Sequence, residues 1–179
     1  MGNVVDDSFD IGSFKANFDN AAKNYLFYVL LDMPTLTGSL TARGSKFLVR
    51  SSTIPGKTVE KKEIGWQGYK FNFGGTTTHE DWTVTFMVDT NADIYKSFVA
   101  WSNMVHNPRT NVHGNPSDYM RDQRVQLLSL DGTNSIMDIN LIGAWPTQIA
   151  NLDLNYDNTD IATFQVTFAY IRHEIEGVN

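Results

Sequence analysis

The sequence predicts a mainly β protein: an antiparallel β-sandwich or barrel with one flanking α-helix over about residues 92–105. Three observations carry this expectation. First, Trp82, Val84, Phe86 and Val88 alternate with Thr83, Thr85 and Met87, the period-two pattern of a strand with one buried face. Second, the period changes to 3.6 after Asp89-Thr90-Asn91, where Ile94, Phe98, Trp101 and Val105 share a helical face that Tyr95 and Val99 widen. Asn91 suits the N-cap and Asp93 the positive end of the helix dipole. Third, Phe164, Val166, Phe168 and Tyr170 alternate with Thr163, Gln165 and Thr167, a long closing strand. The expected core is Trp82, Val84, Phe86, Phe98, Trp101, Phe164 and Phe168.

The remaining elements follow in order. Residues 1–24 hold Asp6, Asp7, Asp10 and Asp19 with scattered Phe9, Phe14 and Phe18. They read as an arm, either partly ordered or docked through its phenylalanines on a neighbouring subunit. Residues 25–33 are apolar at nearly every position, so this strand is covered on both faces or forms a buried edge. Pro34 and Gly38 open a loop to about residue 45. Strands follow at 46–52, 59–64 and 69–73, with a turn at Ile54-Pro55-Gly56. Gly74-Gly75 and the threonines 76–78 read as a loop before the central strand. After the helix, 107–117 is the longest irregular stretch, and 118–123 adds a helical turn. Strands at 124–130 and 135–141 flank Asp131-Gly132, the signal of a type I′ hairpin. Gly143 to Pro146 bends the chain. Leu152, Leu154 and Tyr156 alternate with Asp153, Asn155 and Asp157, which reads as another strand. The sequence thus divides into an arm (1–24), one β domain (25–173) and a polar tail (174–179).

The chain has 179 residues and a net charge of −6. At this length a single domain buries roughly 70% of its unfolded surface, enough for a core without staples. The absence of cysteine excludes disulfides, zinc–thiolate sites and thiol catalysis. The acidic balance argues against gripping a nucleic-acid backbone. No apolar run approaches the ~20 residues of a membrane span, and no signal-peptide pattern opens the chain. Met1-Gly2 suggests myristoylation, but Asp6 stands where that motif wants Ser or Thr. The expectation is a soluble protein without a membrane anchor, kept in a cytoplasm-like compartment until assembly.

No catalytic, cofactor or metal site is predicted. The histidines are His79, His106, His113 and His173. His79-Glu80 lacks the second histidine of a zincin helix, and His106 and His113 have no acidic neighbour in sequence. Asp89, Asn91 and Asp93 imitate the start of an EF-hand loop without its glycine or distal glutamate; helix capping accounts for them. Gly74-Gly75 lacks the Gly-Lys-Ser/Thr of a phosphate loop, and no G-x-S-x-G elbow occurs. Asp153 and Asp157 are paired carboxylates on one face, but acid–base work needs a pocket that drives their pKa values apart. More unusual are the polar faces of the later strands. Asp138, Asn140, Asp153, Asn155, Asp157, Thr163, Gln165 and Thr167 form a set without lysine or arginine. The set reads either as a solvated sheet face or as the lining of a passage that repels a polyanion.

Four segments carry a family likeness: 52–61, with Ile54-Pro55-Gly56-Lys57; 69–75 leading into Glu80-Asp81-Trp82-Thr83-Val84-Thr85-Phe86-Met87-Val88-Asp89; the helix with Phe98-Val99-Ala100-Trp101; and Gly143-Ala144-Trp145-Pro146-Thr147 continuing through 152–157 to 163–168. In order, spacing and strand type the chain resembles the tail tube proteins of contractile-tailed (myovirus) bacteriophages, related to type VI secretion and contractile injection system tubes. The resemblance implies a β-sandwich-like fold with a flanking helix, a non-enzymatic structural role and assembly within a virion tail. It implies homohexameric rings whose inner sheets join into one barrel, stacked into a hollow tube inside a contractile sheath. Its implied partners are further copies, the sheath, tape-measure, baseplate and tail-terminator proteins, and DNA in transit without specific binding. Closing edge strands around a ring satisfies their free backbone groups.

Within that frame, the eight polar residues above become candidates for the lumen. Loops 55–68, 74–80 and 103–118 become candidates for ring stacking, represented by Ile54, Pro55, Gly56, Lys57, Gly74, Gly75, His79, Asn107, Pro108 and Gly114. Alternatives are a minor tube-like baseplate or injection-system component, a soluble β-sandwich binding module with an apolar pocket, and, third, an enzyme marked by a perturbed pKa in a cleft.

Overall fold

A computed structural model describes residues 21–35, 46–157 and 159–177, together with Ile11, Gly12 and Lys15. Most of the expected arm, including Phe9, Phe14 and Phe18, and most of the loop from Pro34 to about residue 45 lie outside the described residues. The main sheet runs in the order β1 (Phe27–Leu30), β8 (Arg121–Leu128), β9 (Ser135–Ile149), β10 (Thr163–Ala169), β5 (Trp82–Met87), β2 (Val49–Ser52), and β11 (Arg172–Ile175) also pairs with β9. Strands β3 (Lys57–Trp66) and β4 (Tyr69–His79) form a separate hairpin, and β6 (His106–Asn107) and β7 (Val112–His113) a small one. Helix α1 is Asp93–Val105; α2 is the single turn Pro116–Tyr119.

The sheet turns a corner within β9. Its first part lies between β8 and β11, and its last residues pair with β10. Arg121 pairs with Ala144 while Gln123 pairs with Leu141, so β9 carries one extra residue, a bulge that bends the strand. Gly143 sits there with φ 65°, and its N–H donates to Asp122 Oδ1 at 2.9 Å. The expected bend at 143–146 is therefore real, but the strand continues through it. The polar tail expected from residue 174 begins later, because Glu174 and Ile175 belong to β11.

One aromatic seam holds the core. Trp82, Val84 and Phe86 on β5 and Phe164, Val166 and Phe168 on β10 are buried against Ile94, Phe98 and Trp101 of α1. Phe98 meets Phe86, Phe164 and Phe168 at ring-centroid distances of 4.8, 6.0 and 5.9 Å, within the range of favourable aromatic pairs. Every expected core residue lies in this seam. Val99, expected to widen the helix face, is exposed, and Ser97 is buried instead; its hydroxyl is satisfied by donating to the Asp93 carbonyl at 2.8 Å.

Other elements differ from expectation for local reasons. Helix α1 is capped by Asp89 rather than Asn91: Ala92 takes a left-handed conformation (φ 53°), and the turn carries the Asp89 carboxylate onto the Asp93 and Ile94 N–H groups at 3.1 and 2.9 Å. The first strand stops at Leu30 because the buried Gln123 amide takes both backbone groups of Asp32, at 2.9 and 2.8 Å. Lys46–Leu48 is a 3₁₀ turn before β2. The turn at Asp131-Gly132 is not type I′: only Gly132 has positive φ, and Gly132 N–H returns to the Ser129 carbonyl at 2.9 Å. The helical turn expected at 118–123 falls at 116–119, with Pro116 at its start, where its missing N–H costs nothing. Arg121 onward is already strand.

Two predictions follow from this geometry. Gly132→Ala meets open space, whereas a Cβ at Gly143 would lie 2.7 Å from Ile171 Cδ1. Urea unfolding should show Gly132→Ala and Gly143→Ala each losing about 1–2 kcal/mol from the left-handed backbone, because the Ile171 side chain, 57% exposed, can turn aside from the added methyl. Asp89→Ala should lose about 1 kcal/mol. Burial raises the Asp89 pKa, but hydrogen bonds from Ile94 and Asp93 outweigh it and hold the carboxyl below its ordinary 3.8. The cap's contribution is thus full above about pH 4 and lost as pH falls through the lower folded value, so the wild-type and Asp89→Ala stability curves should converge in acid.

Candidate assembly surfaces

The β3–β4 hairpin is the most exposed element of the fold. Its strands have ten and eleven residues, so it reaches about 34 Å at the antiparallel rise. Every residue of β3 is exposed, and only Gly75 and His79 of β4 are half-buried. Gln67 and Gly68 both have positive φ (47° and 84°), the two-residue turn that matches strand twist. The loop expected at 74–78 is strand. Val59 pairs with Thr77 and Lys61 with Gly74, so β4 carries a bulge there. A Cβ at Gly75 would lie 2.9 Å from Lys62 Cγ and 3.1 Å from the Glu60 carbonyl; the glycine lets the bulged chain pass its partner.

Register sorts the hairpin into two faces. Trp66 pairs with Tyr69, Ile64 with Phe71 and Lys62 with Phe73, which places five large apolar side chains on one face. Their exposures are 66, 73, 55, 59 and 48% for Trp66, Tyr69, Ile64, Phe71 and Phe73. The other face carries Lys61, Glu63, Lys70 and Asn72, with a Lys70–Glu63 ion pair at 2.8 Å. A two-stranded ribbon is marginal alone, and a contiguous exposed apolar patch marks an interaction surface.

The hairpin root packs on the corner between β10 and β11. Glu80 N–H donates to the Gly56 carbonyl at 3.2 Å, and the His79 ring lies 4.9 Å from His173 and 5.7 Å from Tyr170. Tyr170 donates its hydroxyl to the Glu80 carbonyl at 2.8 Å. Burial, then Asp81 and Glu80, pushes the Tyr170 phenol up to about 12. Burial, then His79 and Lys57, lowers the His173 imidazole below its ordinary 6.5. Among the described residues, no group of three or more His, Asp or Glu side chains is placed to hold a metal.

The ring-stacking candidates separate in space. Ile54 is 50% exposed, while Pro55 is buried and Gly56 half-buried. Lys57, Gly74, Gly75 and His79 belong to the hairpin strands. Asn107 lies in β6, whose His106 ring lies tilted against His113 of β7 with centroids 4.4 Å apart. Pro108 is exposed in the connecting turn. Gly114 is an internal support: its N–H donates to the Val105 carbonyl at 3.1 Å, and a Cβ would strike the Met104 carbonyl at 2.1 Å.

The eight lumen candidates also separate, into three places. Thr163, Gln165 and Thr167 lie opposite Met87, Thr85 and Thr83 on the face of β10–β5 that points away from the seam. Gln148 and Ser51 extend that face, and none of these ladder residues is charged. Asp138 and Asn140 lie opposite Gln126 and Arg124, on a face that also holds Arg172 and Glu174. The cation-free surface expected there is therefore absent: Arg124 Nε donates to Asn140 Oδ1 at 2.8 Å. Burial raises the Asp138 pKa, but the Gln126 and Ser135 hydrogen bonds and Arg124 outweigh it and leave the carboxyl below its usual range. Asp153, Asn155 and Asp157 are not in a strand. Their segment alternates like one but has no partner strand among the described residues, and Leu154 and Tyr156 stand 82 and 108% exposed. The segment is fastened at both ends, by Ala150 N–H to the Gln165 carbonyl at 2.8 Å and by Val88 N–H to the Ala162 carbonyl at 2.9 Å.

A cleft of about 720 Å³ separates the edges of β1 and β2, lined by Phe27, Tyr28, Phe47, Val49 and Arg50 among others. Among the described residues the main sheet ends in β1 and β2 rather than closing on itself.

The sequence profile of the family described as phage tail tube protein matches residues 16–176. The chain belongs to the phage tail tube protein family. It is 33% identical over 125 residues to the tail tube protein gp19 of Enterobacteria phage T4, covering 69% of this chain and 77% of that protein. In fold it is similar to the tube-terminating cap of the anti-feeding prophage, with TM-score 0.67 and 19% identity over 89% of this chain and 93% of that one. It is also similar to the sheath/tube terminator of the PVC extracellular contractile injection system, with TM-score 0.65 and 17% identity over 89% and 99%. At those identities the likeness is one of fold. As a phage tail tube protein, the chain stands among structural components of the virion tail and not among enzymes.

The root cluster yields a pH prediction. Because the His173 pKa is depressed on folding, its contribution to stability is full above its unfolded value near 6.5 and falls with pH until the folded pKa is passed. Chemical denaturation at pH 7.5 and pH 5 should show wild type losing more stability on acidification than His173→Asn, and NMR titration should find the His173 imidazole below 6.5.

Proposed function

We propose that this chain is the subunit of a phage tail tube. Six copies close into a ring, rings stack into a hollow tube inside a contractile sheath, and the tube conducts DNA into the host. The observation that carries self-assembly is the β3–β4 hairpin, whose apolar face lacks a second layer among the described residues. Burying five large side chains is worth several kcal/mol, at roughly 1.5–3 kcal/mol each. The proposed occupant is another copy of the chain.

Among the described residues β1 and β2 end the main sheet; this supports ring closure, because edge strands are satisfied when copies join around a ring. The neutral outer face of β10–β5 is the surface we assign to the lumen. Thr83, Thr85, Gln165 and Thr167 offer DNA no cation, so a polyanion passes without counterion-releasing contacts. The Arg124–Arg172 face suits a position away from DNA. Sheath, tape-measure, baseplate and terminator proteins are the partners that this role requires.

Negative-stain electron microscopy of the full chain tests the reading. Wild type should form rings or hollow tubes with six-fold end views. Trp66→Asp with Phe71→Asp should leave urea stability within about 0.5 kcal/mol, as for other exposed substitutions, and abolish tubes. A wild-type chain that stays monomeric even on its cognate baseplate would overturn the assignment.

A further inference from the structure

The stacking contact has a donor surface, the hairpin, but also needs an acceptor. We propose that the acceptor is the 150–162 segment of a second copy, so that successive subunits join head to tail, the hairpin tip of one on Leu154 and Tyr156 of the next. This rests on the tube reading above and specifies its interface.

Three independent observations converge on that segment. The first is position. β5 and β10 run antiparallel, with Trp82 opposite Phe168 at one end and Met87 opposite Thr163 at the other. The hairpin leaves the chain beside Trp82, whereas the 150–162 segment enters beside Thr163. The two surfaces therefore project from opposite ends of the same strands. A contact between opposite ends is heterologous and repeats along an axis without using itself up, which is the geometry that stacking requires.

The second is charge. Residues 57–79 hold Lys57, Lys61, Lys62 and Lys70 against Glu60 and Glu63, a basic excess in a chain of net charge −6. Residues 150–162 hold Asp153, Asp157 and Asp160 and no lysine or arginine. Among the described residues neither Asp153 nor Asp157 forms an ion pair, and Lys61 forms none on its side. An opposite charge balance of this kind speeds encounter between the two segments.

The third is the apolar content of the acceptor. Leu154 and Tyr156 are 82 and 108% exposed although the segment is fastened at both ends by backbone hydrogen bonds. The segment already carries the period-two alternation of a strand and has no partner strand among the described residues. Leu154 and Tyr156 offer an aliphatic and an aromatic surface to the Trp66–Tyr69 tip, the pairing that anchors interfaces.

The chain contains no cysteine, so introduced cysteines report the contact cleanly. Trp66→Cys and Leu154→Cys are placed in one full-length chain, assembled and mildly oxidised. We expect a ladder of covalent multimers on a denaturing gel. Mixing the two single variants should give a covalent dimer, and each single variant alone should give none. Tyr69→Cys with Tyr156→Cys repeats the test with both substitutions at exposed sites. Tubes that form normally, with neither pair cross-linking, would overturn the acceptor assignment and leave the tube reading intact. A wild-type chain that forms no rings or tubes would remove both.

Discussion

The aromatic seam between α1 and the β5–β10 pair is the constraint on which the other surfaces depend. Phe98 and Trp101 lie across Phe86, Phe164 and Phe168 with every one of these side chains buried. Burial of such rings dominates core energetics, and their offset and edge-on geometry adds to it. The seam turns two strands and a helix into a stiff plate. One face of the plate is spent on the core, so the other must be the exposed face, and the sequence fills that face with Thr83, Thr85, Gln165 and Thr167. The same alternation that makes the strand thus fixes a neutral outer surface.

The plate also fixes what lies at its two ends. One end carries the hairpin root, where His79, Tyr170 and His173 meet around the Glu80 backbone. The other carries the acidic 150–162 segment, pinned through Gln165 and Val88. Neither surface is completed among the described residues: one is an amphipathic ribbon without a second layer, the other a strand pattern without a neighbouring strand. In the proposed assembly another copy supplies the missing layer. The β9 corner at Gly143 serves the same end by carrying the sheet from the plate to the Arg124–Arg172 face, which separates a neutral surface from a charged one.

What was legible in the sequence was whatever one element decides locally. The Trp82–Met87 alternation, the Ile94, Phe98 and Trp101 stripe and the bend at Gly143 depend on neighbours a few residues away. What was not legible depended on partners distant in sequence or absent from the subunit. Gly74-Gly75 reads as a loop until the opposite strand shows that the bulge needs Gly75. Asn91 is a good cap by residue type, but the left-handed turn at Ala92 hands the role to Asp89. Residues 152–157 have a strand's pattern and no strand, because pairing is a property of two segments. Polarity alone groups Asp138 and Asn140 with Thr163 and Gln165; the corner in β9 sends them to another face, beside arginines that lie far away in sequence. The hairpin's length was missed for the reason the glycines were, although the Gln67-Gly68 turn between Trp66 and Tyr69 was a usable signal.

The central claim is that the hairpin is completed by another copy of the chain. Hydrogen exchange on the free subunit and on assembled tubes tests it most directly. The account predicts that amides of β3 and β4 exchange rapidly in the free subunit, as expected of exposed backbone hydrogen bonds, and become strongly protected in tubes, while β5 and β10 are protected in both. Hairpin amides protected to the level of β5 in the free subunit, or left unprotected in tubes, would contradict it.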